Sequence, residues 1–245
     1  MSEKTLNSFT QGLRDGLPIG LGYLSVSFAF GITVVSAGLS ALTAVGISMS
    51  NLTSAGQLAG LSVILAAASL GEMALTQFII NLRYALMSVS LSQKLSRECS
   101  LPHRFFISFF ITDEIFAVAM NRSEMSGKYL SPKYMYGLAV APYVGWSLGT
   151  LLGAAGGGWL PLSVRNALGI AIYGMFIAII VPPSKKSRGV LSVVILAAAV
   201  SCLFNFVPQL SALFKSAPGF VIIISAVLAS AVGAIFFPKA EEVES

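Results

Sequence analysis

Charged residues, histidine and cysteine are all scarce in this chain of 245 residues. Only 10% of its residues are charged, against roughly 25% in an ordinary soluble domain, which excludes a water-soluble globular protein. The two cysteines, Cys99 and Cys202, are far apart and the single histidine is His103. This excludes the usual zinc-ligand spacings and argues against a disulfide framework. We therefore expect no metal and no other cofactor.

Apolar residues fill the chain instead. They make up 56% of it, with a mean hydropathy of +0.83. A spanning helix needs about 20 mostly apolar residues, so the length allows about six to eight spans joined by short loops. Helix punctuation in the interruptions favours helices over a barrel of alternating strands. The predicted fold is an all-α, polytopic integral membrane bundle, with broken or re-entrant helices around residues 41–70 and 105–120.

Domain organisation follows from the positions of the apolar runs. We expect a cytoplasmic tail over residues 1–16, a single transmembrane transporter domain over 17–237 and a polar tail over 238–245. The stretch "MSEKTLNSFTQGLRDG" at 1–16 has neither an uninterrupted apolar region nor a small-residue cleavage site, so it does not resemble a secretory signal, and the first span is predicted to stay as a membrane anchor. The clearest spans are 17–37, 134–155, 166–181, 190–207 and 219–237. The net charge of +5 comes from basic residues in the breaks between apolar runs, which indicates cytoplasmic loops on a lipid bilayer rather than nucleic-acid binding.

Two membrane topologies are compatible with these runs, and both place the two termini inside. If every segment crosses, there are eight spans, and the basic stretch "SQKLSRECSLPHR" at 92–104 faces outward. If 41–70 and 105–120 each enter and leave on one side, that stretch moves inside. Only Arg165 and Lys215 then remain external, which fits the bias of Lys and Arg toward the cytoplasm better.

The stretch "NLTSAGQLAG", residues 51–60, interrupts an apolar run with small and polar residues. A helix broken inside lipid is tolerated where its free backbone groups line a site, and the restarting helix points positive amides at that site. The residues predicted to bind a substrate carboxylate here are Thr53, Ser54, Gly56 and Gln57. The alternative is that the small residues only permit close helix packing.

Arg83 lies deep inside another apolar run, where an arginine needs a partner. Asp113 and Glu114 are the candidate partners, with Glu72 nearer a helix end. Asn81 adds an amide close to Arg83. The two acids are interpreted either as a proton-titratable pair in the membrane or as groups of an interfacial segment that stay in water.

Several motifs together resemble one known family. They are "GLPIGLGYLSVSFAFGITVVSAGLS" at 16–40, "SAGQLAG" at 54–60, "INLRYALMSVSLS" at 80–92 and "FFITDEIFAV" at 109–118. In this order and spacing they are similar to the AzlC family, the large subunits of branched-chain amino acid exporters such as a bacterial L-valine exporter. The motif residues that carry over are Gly56, Gln57, Asn81, Leu82, Arg83, Thr112, Asp113 and Glu114. Two departures are Tyr84, where the family commonly has His, and "SAGQL", where it commonly has "GAAQF".

The resemblance implies a secondary transporter subunit that exports branched-chain or other small apolar amino acids across the bacterial cytoplasmic membrane. Because acidic residues lie in the membrane region, the expected coupling ion is a proton. The resemblance also implies a small AzlD-type membrane subunit as partner, and no enzymatic activity. Thr53, Ser54, Gly56, Gln57, Asn81 and Arg83 would then bind substrate, while Asp113 or Glu114 would take the ammonium group or the proton. The alternatives are a non-transporting scaffold or assembly subunit, or an intramembrane hydrolase, for which the only histidine lies in a polar loop.

Overall fold

The computed structural model describes residues 7–126, 129–215 and 217–237, and the regular structure of these residues is helical, without a strand. The helices in chain order are α1 (Phe9–Ser36), α2 (Ala41–Ser50), α3 (Ser54–Leu65), α4 (Leu70–Ser92), α5 (Leu101–Phe109), α6 (Asp113–Ser126), α7 (Pro132–Gly156), α8 (Leu162–Lys186), α9 (Arg188–Phe206), α10 (Pro208–Phe214) and α11 (Pro218–Phe236).

Helix length and composition confirm the predicted polytopic bundle. Five helices of the described chain are long and apolar enough to cross a membrane, namely α1, α4, α7, α9 and α11. Helix α8 has 25 residues and contains the predicted span 166–181. The chain is therefore an integral membrane protein.

Both predicted breaks are present. Helix α2 ends at Ser50 and α3 begins at Ser54, while α5 ends at Phe109 and α6 begins at Asp113. Each half-helix of the first pair has 10 or 12 residues, which at 1.5 Å per residue is about half the thickness of the hydrocarbon core. Neither half could cross alone.

Helix α1 begins earlier than the first apolar run. Its cap is Ser8, whose hydroxyl accepts a hydrogen bond from the amide of Gln11 at 3.2 Å, so helix extends through much of the predicted tail. Residues 1–6 and 238–245 lie outside the described residues, and the predicted domain boundaries stay a prediction.

The chain divides into two compact units. The first comprises residues 1–57 and 81–172, and the second comprises 58–80 and 173–245. In the first unit, α1 packs along α7 through glycines. A Cβ on Gly12 would meet Tyr134, one on Gly20 would meet Ala141, and one on Gly31 would meet Thr150. The residue numbers of the contacting pairs increase in the same direction along both helices, so α1 and α7 are parallel.

The second unit is built around α9 and α11. Gly189 packs on Phe237, and Gly233 packs on Val193. The positions run in opposite order along the two helices, so α9 and α11 are antiparallel. Consecutive long helices that reverse direction are what alternating membrane crossings require.

Three helix ends lie close together at one face of the first unit. The amide of Ser96 donates to the carbonyl of Leu130 at 2.9 Å, and the amide of Leu130 donates to the carbonyl of Lys94 at 2.8 Å. The side-chain amide of Asn7 donates to the carbonyl of Tyr129 at 2.8 Å. The starts of α1 and α7 therefore lie together with the end of α4, and we call this the N-terminal face.

The hydrogen bonds at this face decide the path of the broken segments. Because Leu95 and Leu130 are paired, α5 and α6 leave the N-terminal face and return to it, as a re-entrant pair. This re-entrant path of α5 and α6 is the one that the six-span alternative requires of residues 105–120.

Candidate functional site

The first break, between α2 and α3, is organised around Thr53. Its hydroxyl accepts a hydrogen bond from the amide of Gly56 at 3.2 Å, and its carbonyl accepts from the amide of Gln57 at 2.9 Å. A threonine in this position caps the new helix and satisfies donors that have no partner within the helix. Thr53, Gly56 and Gln57 are buried, whereas Ser54 is half-buried at the first position of α3.

The side chain of Gln57 is oriented by the protein. Its Nε2 donates to the carbonyl of Asn51 at 2.7 Å and to the hydroxyl of Ser48 at 3.1 Å. If the side-chain amide of Gln57 were rotated by 180°, its Oε1 would face the carbonyl oxygen of Asn51, and two acceptors would repel each other. Nε2 must therefore face Asn51. Ser48 is in turn 2.7 Å from the hydroxyl of Thr150 on α7. The break is thereby tied to a helix about a hundred residues away in sequence.

Gln57 consequently offers a ligand the acceptor Oε1 and not its Nε2 donors. Its side chain is 1% exposed, and Oε1 has no hydrogen-bond partner in the part of the chain that the structure describes. An acceptor of this kind attracts an ammonium or another N–H or O–H group. The sequence had suggested that the amide of Gln57 donates to a carboxylate, but its N–H groups are used within the protein.

The second break, between α5 and α6, is organised around Thr112 in the same way. Its carbonyl accepts from the amide of Phe116 at 2.9 Å, and its hydroxyl lies 3.4 Å from the amide of Ile115. The hydroxyl of Tyr23, on α1, lies 2.7 Å from the hydroxyl of Thr112 and donates to the carboxylate of Glu114. Glu114 is thus held by α1.

Two consecutive residues of α4 reach both breaks. Arg83 forms an ion pair with Asp113, the first residue of α6, with Nη1 and Oδ2 2.9 Å apart. The hydroxyl of Tyr84 faces the side chain of Thr53. Arg83 Nη2 also donates to the hydroxyl of Tyr84 at 3.0 Å, and its guanidinium lies 4.8 Å from the centre of the Tyr84 ring. Of the acids offered by the sequence, the structure pairs Arg83 with Asp113.

The ion pair is accessible from outside the protein. The Arg83 side chain is 48% exposed and that of Asp113 is 39% exposed. A guanidinium has five N–H donors, and the contacts of Arg83 with Asp113 and Tyr84 use only some of them. The pair is therefore placed to exchange partners with a charged ligand.

The comparisons with known proteins agree with the motifs in this region. A family model described as "AzlC protein" matches residues 18–160. The chain belongs to the AzlC family. It is 29% identical over 199 residues to "Inner membrane protein YgaZ" of Escherichia coli strain K12, covering 80% of each chain. It is 31% identical over 179 residues to an "Uncharacterized membrane protein" of Archaeoglobus fulgidus, covering 72% of this chain and 76% of that one. No solved structure matches the chain.

The AzlC match contains both broken segments and the whole of α4. All eight predicted site residues therefore lie inside the family region, and the geometry brings most of them together in the first unit. Asn81 is half-buried on α4, but two residues along a helix point away from each other, so Asn81 and Arg83 use different faces.

Several residues of this AzlC site were not predicted as part of it. Tyr23, Ser48 and Thr150 were not among the predicted site residues. Tyr84 entered the sequence analysis only as a departure from the family pattern, yet its hydroxyl contacts Arg83 and faces Thr53. The described residues contain no group of three or more His, Cys, Asp or Glu side chains that could hold a metal ion.

Proposed function

We propose that this AzlC protein is the large subunit of a secondary transporter that exports branched-chain or other small apolar amino acids. The proposal includes proton coupling and a small AzlD-type membrane subunit as partner. The observation that carries it is the meeting of two capped half-helix N-termini with one exposed Arg83–Asp113 ion pair. Broken helices with this arrangement recur at the substrate sites of transporters.

A zwitterion matches the charges of the site. The N-termini of α3 and α6 carry the positive ends of their helix dipoles, and Arg83 adds a full positive charge. These groups favour the substrate carboxylate. Asp113 and the Oε1 acceptor of Gln57 favour the ammonium group. The apolar side chain of the substrate would lie against apolar residues, where one methylene changes the binding free energy by only about 1–3 kcal/mol, so selectivity among Val, Leu and Ile would be modest.

Proton coupling would use the acids of the second break. A proton on Asp113 would remove its attraction for Arg83 and free the guanidinium for the substrate carboxylate. Glu114, held by Tyr23, is the second candidate for the proton. Coupling requires that this change stabilise one of the two membrane-facing states more than the other.

The orientation follows from the basic residues at the N-terminal face. Lys94, Arg97, Arg104 and Lys133 all belong to the segments that meet there. By the positive-inside rule this face is cytoplasmic, and with six crossings the C-terminus is cytoplasmic as well. The protein would thus be a multi-pass protein of the cytoplasmic membrane that binds neither nucleic acid nor a chemical substrate for catalysis.

The test is efflux of radiolabelled valine from cells that lack their own exporters and express this chain with an AzlD-type partner. We expect efflux with the wild type and its loss in Arg83→Ala and Asp113→Asn at matched membrane levels. The matched control is Arg97→Ala, an exposed arginine outside the site, which should export normally.

Three outcomes would contradict parts of the proposal. Absence of wild-type efflux would remove the assigned substrate, and a screen of other amino acids would follow. Normal efflux by both site variants would show that the ion pair holds helices only. If the partner subunit disappears from the membrane without this chain while no transport is found for any amino acid, the chain is an assembly scaffold.

The exposed ion pair makes a second measurement decisive. Asparagine has nearly the size of aspartate and keeps an oxygen that can accept a hydrogen bond from Arg83, so Asp113→Asn should leave the melting temperature of the purified protein nearly unchanged while it abolishes efflux. A large fall in melting temperature would mean that the loss of efflux reflects unfolding.

A further inference from the structure

A second buried acid lies in the other compact unit, outside the site described above. Glu72 stands in the first turn of α4 and is 4% exposed. Its Oε1 accepts a hydrogen bond from the amide of Gly219 at 2.7 Å. Gly219 is the second residue of α11, so the carboxylate lies against the N-terminus of that helix. A buried carboxylate in a membrane protein is costly and marks a functional group by default.

A second side chain points at the same place. Thr76, one turn further along α4, is fully buried, and its Oγ1 has no hydrogen-bond partner among the described residues. A Cβ placed on Gly219 would come closer than 3.0 Å to both Thr76 Oγ1 and Glu72 Oε1. Two oxygens and one amide therefore converge where only a glycine fits. A carboxylate beside an unpartnered hydroxyl can take up a proton and donate it to that hydroxyl.

The surroundings of Glu72 supply little other charge. The sequences of α3, α10 and α11 contain no charged residue. The next charged residue on α4 is Arg83, three turns away, and Lys215 is an exposed residue shortly before α11. On α9 the only charge is Arg188, beside Gly189, which packs on Phe237 at the far end of α11. The helix amides are therefore the main positive partners of the carboxylate.

We propose that Glu72 is a proton-binding group of the transport cycle and that it controls the attachment of α11 to α4. When Glu72 is ionised, its carboxylate accepts from the Gly219 amide, and the hydroxyl of Thr76 has no partner among the described residues. When a proton from water binds the carboxylate, the new O–H donates to Thr76 Oγ1, and the remaining bond to Gly219 loses its charge. Charge-assisted hydrogen bonds are roughly twice as strong as neutral ones, and the helix dipole favours the anion, so protonation loosens α11.

This inference rests on the proposed function, because it takes proton-driven export as given. Helix α4 contributes residues to both units, and so carries Glu72 as well as Arg83.

The variant that tests the proposal is Glu72→Gln, in the chain reconstituted into liposomes with its partner subunit. Glutamine keeps an oxygen for the Gly219 amide but can neither ionise nor take up the proton. We expect valine exchange at equal pH on both sides to stay within about twofold of wild type, and transport driven by a pH gradient to fall at least about tenfold. Glu124→Gln, an exposed carboxylate on α6, is the matched control and should change neither.

Retention of gradient-driven transport in Glu72→Gln would overturn the proposal, and so would loss of both activities, since a coupling group is not needed for exchange. A wild type that exchanges no amino acid would defeat the proposed function instead. In that case infrared difference spectra of the purified protein between acidic and neutral pH still show whether Glu72 binds a proton. The signal of a buried carboxyl group must be present in wild type and in Glu124→Gln and missing in Glu72→Gln; its persistence in Glu72→Gln would overturn the assignment.

Discussion

At the scale of single residues, the fixed amide of Gln57 makes the sharpest stability prediction. Gln57→Leu puts an apolar side chain of similar size in place of the amide. It removes the hydrogen bonds to the carbonyl of Asn51 and to the hydroxyl of Ser48, which keeps its contact with Thr150. Removing one partner of a buried hydrogen bond costs about 1–3 kcal/mol. We expect a loss of stability of that order, measured by thermal unfolding of the purified protein in detergent.

The matched control for Gln57 is Gln93→Leu, because Gln93 is exposed just after α4 and such changes usually stay within about 0.5 kcal/mol. Equal melting temperatures for the two variants would show that the contacts of Gln57 with Asn51 and Ser48 contribute little. Gln57→Glu should destabilise at least as much as Gln57→Leu at neutral pH, since it sets a carboxylate oxygen against the Asn51 carbonyl.

The partner of Arg83 could be predicted from the sequence, whereas the partners of Gln57 could not. An arginine inside an apolar run needs an acid, and very few acids occur in the apolar segments, so Asp113 and Glu114 were found by elimination. Ser48 and Thr150 are ordinary helix residues in sequence. Only the packing of α2 against α7, which joins distant parts of the chain, brings them to Gln57.

At the scale of helices, the contact between α1 and α7 depends on glycine. A Cβ on Gly149 would overlap the Ser27 hydroxyl and the Leu24 carbonyl, whereas nothing lies within 4 Å of a Cβ on Gly22. We expect Gly149→Ala to force the helices apart and to destabilise the protein by about 1–3 kcal/mol. Gly22→Ala, on α1 itself, should be neutral or stabilising by about 0.5–1 kcal/mol, because alanine is the better helix former.

Thermal unfolding of the two purified glycine variants separates a steric contact from a general effect of alanine. If both variants melt at the wild-type temperature, the helices tolerate a wider spacing than the structure indicates. Small residues at helix contacts are expected in membrane proteins, and the sequence marks these glycines as candidates. It does not show which of them face another backbone, because Gly22 and Gly20 are both in α1 and only Gly20 is in contact.

The helix breaks could also be predicted, but not their paths. Polar and small residues at 51–60, and acids at 113 and 114, indicated interruptions, and the structure places both there. The start of α1 at Phe9 was missed because the Ser8 cap lies in a polar stretch before the apolar run. Whether a broken segment crosses or returns depends on the backbone pairing of Leu95 with Leu130, a contact between distant residues that leaves no local pattern.

At the scale of the whole molecule, the six-span topology is open to a direct test at Gln93. In the eight-span alternative the loop after α4 faces outward, so Leu95 and Leu130 would be separated by the hydrocarbon core, about 30 Å thick. The hydrogen bonds of 2.8 and 2.9 Å between these segments do not allow this. Gln93 must therefore share a face with the start of α7, which is cytoplasmic in the proposed orientation.

The measurement is labelling with a maleimide that does not cross membranes, in a chain whose Cys99 and Cys202 are replaced by serine. A cysteine at Gln93 should react only after the cells are permeabilised. A cysteine at Trp159, which is 91% exposed after α7, should react in intact spheroplasts, because both topologies place that end of α7 outside. Labelling of both positions from outside would contradict the re-entrant path of α5 and α6. Labelling of Gln93 alone from outside would instead show that the protein is inverted in the membrane relative to the proposed orientation.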